Sequence, residues 1–192
     1  MEVVLIKIYT IVGGVNGAGK SSLSGVLKNR MSDLGVIVDV DKITEKLDKG
    51  ALEGGRAAIS MINDCLAKGV NFTQETTLSG FRTERTAKVA RESGYYVRLF
   101  YVGIDTLGES LKRIQNRVEK GGHNIAEEDV IRRYEERFTA LQRVLPFCNE
   151  AVLFDNENGF VPVAEYRNGE IVPLVEKRPL WLTELLKILS LA

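Results

Sequence analysis

The chain has 192 residues, 44% hydrophobic and 27% charged, which suits one globular domain with a complete core. Lysine plus arginine number 26, as do aspartate plus glutamate, so the formal net charge is zero and argues against a nucleic-acid partner. The two cysteines, Cys65 and Cys148, are far apart and lack metal-ligand spacing. No window approaches the roughly 18 apolar residues of a membrane span. We therefore expect a cytoplasmic protein with no membrane partner.

Apolar, β-branched runs alternate with segments of helical periodicity along the chain. In chain order the sequence predicts strand 3–13, helix 20–34, strand 36–40, helix 56–68, strand 70–75, helix 82–93, strand 95–102, helix 106–119, helix 125–145 and strand 151–155. Repeated strand–helix alternation is typical of parallel strands joined by right-handed crossovers. We therefore predict an α/β fold of three layers around a mostly parallel, five-stranded sheet.

The last part of the chain has a different pattern. Residues 161–172 alternate around Asn168-Gly169, which predicts a β-hairpin, and residues 179–191 could add a short amphipathic helix. We predict a kinase-type domain at 1–158, with a lid at about 113–133, and a C-terminal hairpin-and-helix appendage at 159–192.

A glycine-rich motif follows the first predicted strand. Residues 14–21 read GVNGAGKS and satisfy the P-loop pattern G-x-x-x-x-G-K-[ST] between a strand and a helix. In such a loop the backbone N–H groups and the helix N-terminus bind phosphates, while the lysine and the serine hydroxyl reach the terminal phosphates and magnesium. The predicted ATP and Mg²⁺ site therefore comprises Gly14, Asn16, Gly17, Ala18, Gly19, Lys20, Ser21 and Ser22, with Ser21 as the metal ligand.

Three classes of P-loop protein can be weighed. A GTPase should carry N-K-x-D, which is absent from the sequence, and an ABC-type ATPase should carry L-S-G-G-Q, of which only LSG fragments occur. A small-molecule kinase remains, and it needs a base for the acceptor hydroxyl, an acid near the metal and mobile arginines.

Acidic residues follow two predicted strands. Asp41 is predicted to end the second strand beside the P-loop, where its carboxylate could take the acceptor's proton; the alternative is that it caps a helix beginning at Ile43. Asp39 is the weaker candidate for the same role. Glu75, at the end of the third strand, could hold magnesium through water or bind the acceptor, unless it is an exposed loop acid.

Basic residues near the predicted acceptor and lid complete the candidate site. We expect Thr76 and Arg82 beside the acceptor, although Arg82 and Arg85 could equally lie on the surface. Arg117 and either Arg132 or Arg133 flank a Gly121-Gly122 break and could close over the phosphates. The alternative is a solvated helix face, because Arg132 and Arg133 have i,i+4 acidic partners. His123 is expected to be a hydrogen-bonding prop.

Together these segments resemble the zeta-toxin-like P-loop kinases. The resemblance rests on the P-loop, Asp41, the run ETTL at 75–78, RVxxGGH at 117–123 and IRRY at 131–134, and it covers about residues 8–156. Members use ATP and magnesium to phosphorylate the 3′-hydroxyl of UDP-N-acetylglucosamine.

The resemblance implies a role for each matched residue. Asp41 would be the base, Lys20 with Ser21 the nucleotide and metal site, Glu75 an acceptor-site acid, and Arg117 with Arg132 or Arg133 the lid cations. A small-molecule acceptor is the expected partner, and an antitoxin or other protein could be a second one. Two alternatives remain: a nucleoside, nucleotide or cofactor-precursor kinase, and a non-kinase protein whose nucleotide state controls binding.

Overall fold

A computed structural model describes residues 6–47, 50–122, 124–157 and 159–190. The strands are β1 (Ile8–Gly13), β2 (Val36–Asp39), β3 (Phe72–Thr76), β4 (Tyr96–Gly103), β5 (Glu150–Asp155), β6 (Val161–Arg167) and β7 (Glu170–Pro173). The α-helices are α1 (Lys20–Arg30), α2 (Val40–Leu47), α3 (Ala51–Lys68), α4 (Arg82–Glu92), α5 (Leu107–Glu119), α6 (Glu127–Glu135), α7 (Arg137–Val144) and α8 (Leu180–Leu189). Within the described ranges, no helix combines the length and apolarity needed to cross a membrane.

The strands form one mostly parallel sheet in the order β2-β3-β1-β4-β5-β6-β7. Strands β1 to β5 pair in parallel, as predicted, while β6 pairs antiparallel with β5 and β7 antiparallel with β6. The described sheet therefore has seven strands, and the prediction of five was wrong. The predicted hairpin is present as β6 and β7. It is not a separate appendage, because β6 pairs with the edge strand β5 and so extends the sheet.

Two hydrophobic clusters cover the two faces of the sheet and confirm the three-layer α/β fold. Side chains along a strand alternate between faces, so Tyr9 and Ile11 of β1 join one cluster and Val12 joins the other. The first cluster packs residues of α3, α4, α7 and α8 against the sheet, and the second packs Leu23 and Leu27 of α1. The central strand β1 is thus buried on both sides and fixes where the loop after it begins.

Several predicted element boundaries differ from the structure, and two of these differences bear on the candidate site. Strand β2 ends at Asp39 and α2 begins at Val40, so Asp41 lies in a helix instead of ending the strand. The helix predicted at 125–145 is interrupted at Glu136, where the Arg137 guanidinium donates to the Tyr134 carbonyl oxygen at 2.7 Å. Strand residues 3–5 and His123 lie outside the described residues.

The C-terminal helix packs into the core beside β4. Trp181 is fully buried, and its ring lies against Gly103 so closely that a Cβ at Gly103 would meet the indole Cε2 at 2.1 Å. Arg137 donates to Glu184 at 2.6 Å and lies over the Tyr134 ring, which ties α8 to α7. The segment 159–190 is therefore packed against the same core as the rest of the sheet.

The close contact between Gly103 and Trp181 predicts that a side chain at position 103 would destabilise the protein. Gly103→Ala should lower the free energy of unfolding by about 2 kcal/mol or more, because the indole is held in place and cannot move away from the new methyl group. The matched control is Gly25→Ala in α1, where nothing lies within 4 Å of the added Cβ and helix propensity should improve. Urea unfolding of both variants tests this, and equal stability of Gly103→Ala and the parent chain would contradict it.

Candidate active site

The glycine loop between β1 and α1 follows a path that side chains would obstruct. Gly14, Gly17 and Gly19 have φ values of 144°, 76° and 102°. A Cβ on Gly14 would lie 2.5 Å from the Val102 carbonyl oxygen, and one on Gly17 would lie 2.8 Å from that of Ser110. These glycines are therefore required both by the backbone conformation and by the close approach of β4 and α5.

Side chains from distant parts of the chain hold the loop from outside. The Ser110 hydroxyl donates to the Asn16 carbonyl oxygen at 2.7 Å, and the Asn156 amide donates to that of Ala18 at 2.9 Å. Arg113 donates to the Gly17 carbonyl oxygen at 3.5 Å and to that of Asn156 at 2.8 Å. Because the carbonyl oxygens of the loop accept these hydrogen bonds from outside, its backbone N–H groups are left to bind an anion on the other side.

Lys20 begins α1 and is partly buried within the site. Its ammonium donates to the Val15 carbonyl oxygen at 3.0 Å. Burial lowers the pKa of Lys20 to about 8, although the nearby carboxylates of Glu75, Asp41 and Asp39 act in the opposite direction. A partly buried positive group whose charged form is disfavoured is suited to an anionic ligand, which would stabilise the ammonium further.

Ser21 and Glu75 form the candidate metal position. The Ser21 hydroxyl donates to Glu75 Oε2 at 2.8 Å, while Glu75 Oε1 is buried without a hydrogen-bond partner in the described chain. Among the described residues there is no group of three or more His, Cys, Asp or Glu that could hold a metal. Hydroxyl and carboxylate oxygens fit Mg²⁺, which typically takes few protein ligands and completes its shell with phosphates and water.

Asp39 and Asp41 have different surroundings at the start of α2. Asp39 is buried and caps the helix, because its Oδ1 accepts from the backbone N–H groups of Asp41 at 3.1 Å and Lys42 at 3.3 Å. The Lys42 ammonium also lies 2.9 Å from Asp39 Oδ2. The capping role considered for Asp41 thus belongs to Asp39, and the exposed Asp41 carboxylate lines the cleft.

Arginines from α5 and α6 line the other side of this cleft. Arg113, Arg117 and Arg133 all line it, and Arg133 donates to the Asn16 side-chain oxygen at 3.2 Å. Arg132 does not line it; this residue lies on the surface, 2.5 Å from Asp129 and 3.8 Å from Glu136. The structure thus distinguishes the two adjacent arginines that the sequence could not separate.

Most of the predicted site residues meet in one cleft of about 390 Å³, a size typical of small-ligand sites. Its lining includes Asn16, Gly17, Gly19, Lys20, Ser21, Ser22, Asp41, Glu75, Thr76, Arg117 and Arg133. Gly14 and Ala18 shape the loop without lining the cleft. Arg82 lines a second cleft of about 520 Å³ with Phe81 and Arg85.

Sequence reasoning missed three residues that hold the loop, Ser110, Arg113 and Asn156. Arg113 lies one helical turn before Arg117, so i,i+4 spacing could have placed it on the same face. Asn156 directly follows β5, at the carboxyl end of a strand, where ligands collect in such sheets. Its bond to Ala18 joins residues 138 positions apart, and the local sequence carries no signal of that pairing.

Several solved structures have the same architecture as this chain. The AvrRxo1-ORF1:-ORF2 complex with ATP aligns with a TM-score of 0.68 and 17% identity over 97% of this chain, which spans 64% of the AvrRxo1 chain. A chain of the PezAT toxin–antitoxin system of Streptococcus pneumoniae aligns with a TM-score of 0.63 and 17% identity, covering 97% of this chain and 86% of that one. A putative kinase from Chloroflexus aurantiacus aligns with a TM-score of 0.53 and 19% identity, covering 67% of this chain and 76% of the kinase chain. These likenesses establish the P-loop kinase fold.

The sequence also has a relative among known proteins. An uncharacterized protein of Haemophilus influenzae is 35% identical over 126 residues, which are 63% of this chain and 88% of that protein. The chain belongs to the family of that protein. No protein-family model matches the sequence.

The lowered pKa of Lys20 predicts a stability effect that needs no ligand. Folding lowers the pKa from its usual value near 10.5 to about 8, so at neutral pH the folded state bears the cost of the charged ammonium. Lys20→Met should therefore stabilise the ligand-free protein by roughly 1 to 3 kcal/mol at neutral pH. The gain should shrink as the pH rises from 8 towards 10.5, because the folded lysine then loses its proton before the unfolded one.

Denaturant unfolding of the Lys20→Met and parent proteins across this pH range tests the effect. Lys28→Met is the matched control, since Lys28 is exposed on the same helix. A Lys20→Met protein less stable than the parent at neutral pH would contradict the prediction.

Proposed function

We propose that the protein is an ATP- and Mg²⁺-dependent kinase that transfers the γ-phosphate to a hydroxyl group of a small molecule. The observation that carries this proposal is the cleft in which the P-loop, three acidic residues from β2, α2 and β3, and three arginines meet. To transfer a phosphoryl group, an enzyme must position the reactants, neutralise the charge on the phosphates and provide a base for the acceptor hydroxyl. The cleft contains residues of each kind.

The nucleotide would occupy the loop side of the cleft. The cleft-lining loop residues Asn16, Gly17 and Gly19, followed by Lys20 to Ser22, would hold its phosphates through backbone N–H groups, the lysine ammonium and the hydroxyls. Gly14 and Ala18 would serve the nucleotide by shaping the loop. Ser21, with Glu75 behind it, would hold Mg²⁺, which when bound neutralises charge on the phosphates. The solved AvrRxo1 complex with ATP has the same fold and supports this assignment.

Asp41 is the proposed base for the acceptor hydroxyl. It stands in the first turn of α2 and lines the cleft, whereas Asp39 is engaged by Lys42 and two backbone N–H groups. Its exposed carboxylate can therefore accept a hydrogen bond from an incoming hydroxyl and take its proton. Lys20, Arg117 and Arg133 would balance the negative charge that accumulates on the transferring phosphoryl group.

The leading candidate for the acceptor is UDP-N-acetylglucosamine, following the resemblance to zeta-toxin-like kinases. The acceptor would lie along the segment after β3, because Thr76 and Thr77 line the first cleft and Ser79 to Arg82 line the second. An acceptor as extended as a nucleotide sugar could contact Glu75 and Thr76 at one end and Arg82 at the other. A shorter acceptor such as a nucleoside would leave Arg82 without a role.

We also propose a protein partner, on the basis of two of the structural neighbours. PezAT is a toxin–antitoxin system, and AvrRxo1-ORF1 was solved as a complex with AvrRxo1-ORF2. We propose that an antitoxin or comparable protein binds this chain in the cytoplasm. Copurification of the chain with the product of a neighbouring gene would test the partner independently of the chemistry.

Mass spectrometry of reaction mixtures tests the proposed reaction and acceptor. The protein, ATP and Mg²⁺ should add one phosphate to UDP-N-acetylglucosamine within a panel of UDP-sugars and nucleosides. Asp41→Asn should reduce turnover at least about 100-fold, because the amide cannot take the proton. Glu45→Gln, an exposed change on the same helix, is the control. Phosphorylation of a nucleoside instead would overturn the acceptor, and ATP consumption without a phosphorylated product would overturn the kinase proposal.

The adjacent arginines of α6 give a second, internally controlled prediction. Arg133→Ala should lower kcat by roughly 10- to 100-fold, since Arg133 lines the cleft and would neutralise charge in the transition state. Arg132→Ala should change kcat less than about twofold, because its guanidinium pairs with Asp129 and Glu136 on the surface. Steady-state kinetics of both variants measures the difference, and a larger loss for Arg132→Ala would contradict the assignment.

A further inference from the structure

Trp181 is the one tryptophan of the chain, and its two N–H groups both bind carboxylates. The backbone N–H donates to Asp105 Oδ1 at 3.0 Å, and the indole Nε1–H donates to Asp155 Oδ1 at 2.9 Å. The side chain is fully buried in the first turn of α8. The bond to Asp105 comes from the backbone, whereas the bond to Asp155 depends on the indole, so only tryptophan at this position links both carboxylates.

The two carboxylates stand at the carboxyl ends of adjacent strands. Asp105 follows β4 and precedes Thr106, whose hydroxyl caps α5 by accepting from the Glu109 N–H at 3.1 Å. Asp155 is the last residue of β5 and pairs in register with Gly103 of β4. Trp181 therefore joins the points at which α5 and the segment after β5 leave the sheet.

Those two segments are the ones that hold the glycine loop. Helix α5 supplies Ser110 and Arg113, which donate to the Asn16 and Gly17 carbonyl oxygens. Asn156, the residue after Asp155, donates to the Ala18 carbonyl oxygen and accepts from Arg113. A chain of direct contacts thus runs from the indole to both outer sides of the loop.

We propose that Trp181 is a positioning residue for the nucleotide site. By fixing Asp105 and Asp155 relative to each other, it sets the spacing between α5 and Asn156, and this spacing holds the loop in its phosphate-binding shape. The inference rests on the proposed function, since it concerns the affinity of the site for ATP. It also gives the C-terminal segment a part in the site, although α8 contributes no residue to the cleft lining.

Intrinsic fluorescence of the unmodified protein gives the first test. Because the chain has a single tryptophan beside six tyrosines, emission excited selectively at the indole reports on Trp181 alone. Emission should change saturably on titration with ATP and Mg²⁺, with the same midpoint as calorimetric binding. An emission spectrum that stays constant while calorimetry shows ATP binding would overturn the inference.

A pair of variants on α8 gives the second test. Trp181→Phe keeps an aromatic ring but removes the Nε1–H, and should weaken ATP affinity by about three- to tenfold, because only part of the free energy of the lost hydrogen bond to the carboxylate reaches the loop. Leu185→Ala is the matched control, because Leu185 is fully buried on the same helix and makes no bond to either aspartate. It should lower the melting temperature and leave ATP affinity within twofold of the parent value.

Binding is measured by calorimetry at a temperature where all the variants are folded. Asp155→Ala should weaken ATP affinity as Trp181→Phe does, and the double variant should be no weaker than Asp155→Ala alone. Parent-like ATP affinity in Trp181→Phe, or an equal loss in Leu185→Ala, would overturn the inference. Absence of ATP binding by the parent protein would instead overturn the proposed function, so the two failures are distinguishable.

Discussion

The structure depends on how closely the glycine loop approaches the strand and helix beside it. A Cβ at Gly14 would collide with a β4 carbonyl and one at Gly17 with an α5 carbonyl, so the loop can be held only because both side chains are absent. That close approach lets Ser110, Arg113 and Asn156 reach the loop carbonyls. The neighbouring elements thus determine the shape of the phosphate-binding backbone, which is more firmly held than a free turn of the same sequence would be.

The cleft contains a partly buried positive group and a buried negative group whose polar atoms are only partly hydrogen-bonded. Lys20 has a lowered pKa because of burial, and Glu75 keeps one oxygen without a hydrogen bond in the described chain. Stability would be higher if these groups were apolar, so their presence indicates a site shaped for a ligand. An anionic phosphate and a divalent cation together would satisfy both residues, which explains why such a cleft suits phosphoryl transfer.

Much of the site could be predicted because its residues follow local patterns. The P-loop is a contiguous motif, and Glu75 and Asp41 lie near the ends of strands that the apolar runs predict. Prediction failed where Asp39 could either continue the strand or cap a helix: Asp39 caps α2, so the strand ends at Asp39 and not at Val40 as predicted. It also failed for long-range pairing, since the bond from Asn156 to Ala18 and the addition of the hairpin to β5 depend on the folded sheet.

The central claim is that the glycine loop and Lys20 bind the phosphates of ATP, and calorimetry on a Lys20→Ala protein tests it most directly. With Mg²⁺ present, the parent protein should bind one ATP per chain, and Lys20→Ala should bind it at least about tenfold more weakly. Circular dichroism would verify that the variant is folded. Equal ATP affinity in the two folded proteins, or no binding by the parent, would contradict the assignment of this cleft as a nucleotide site.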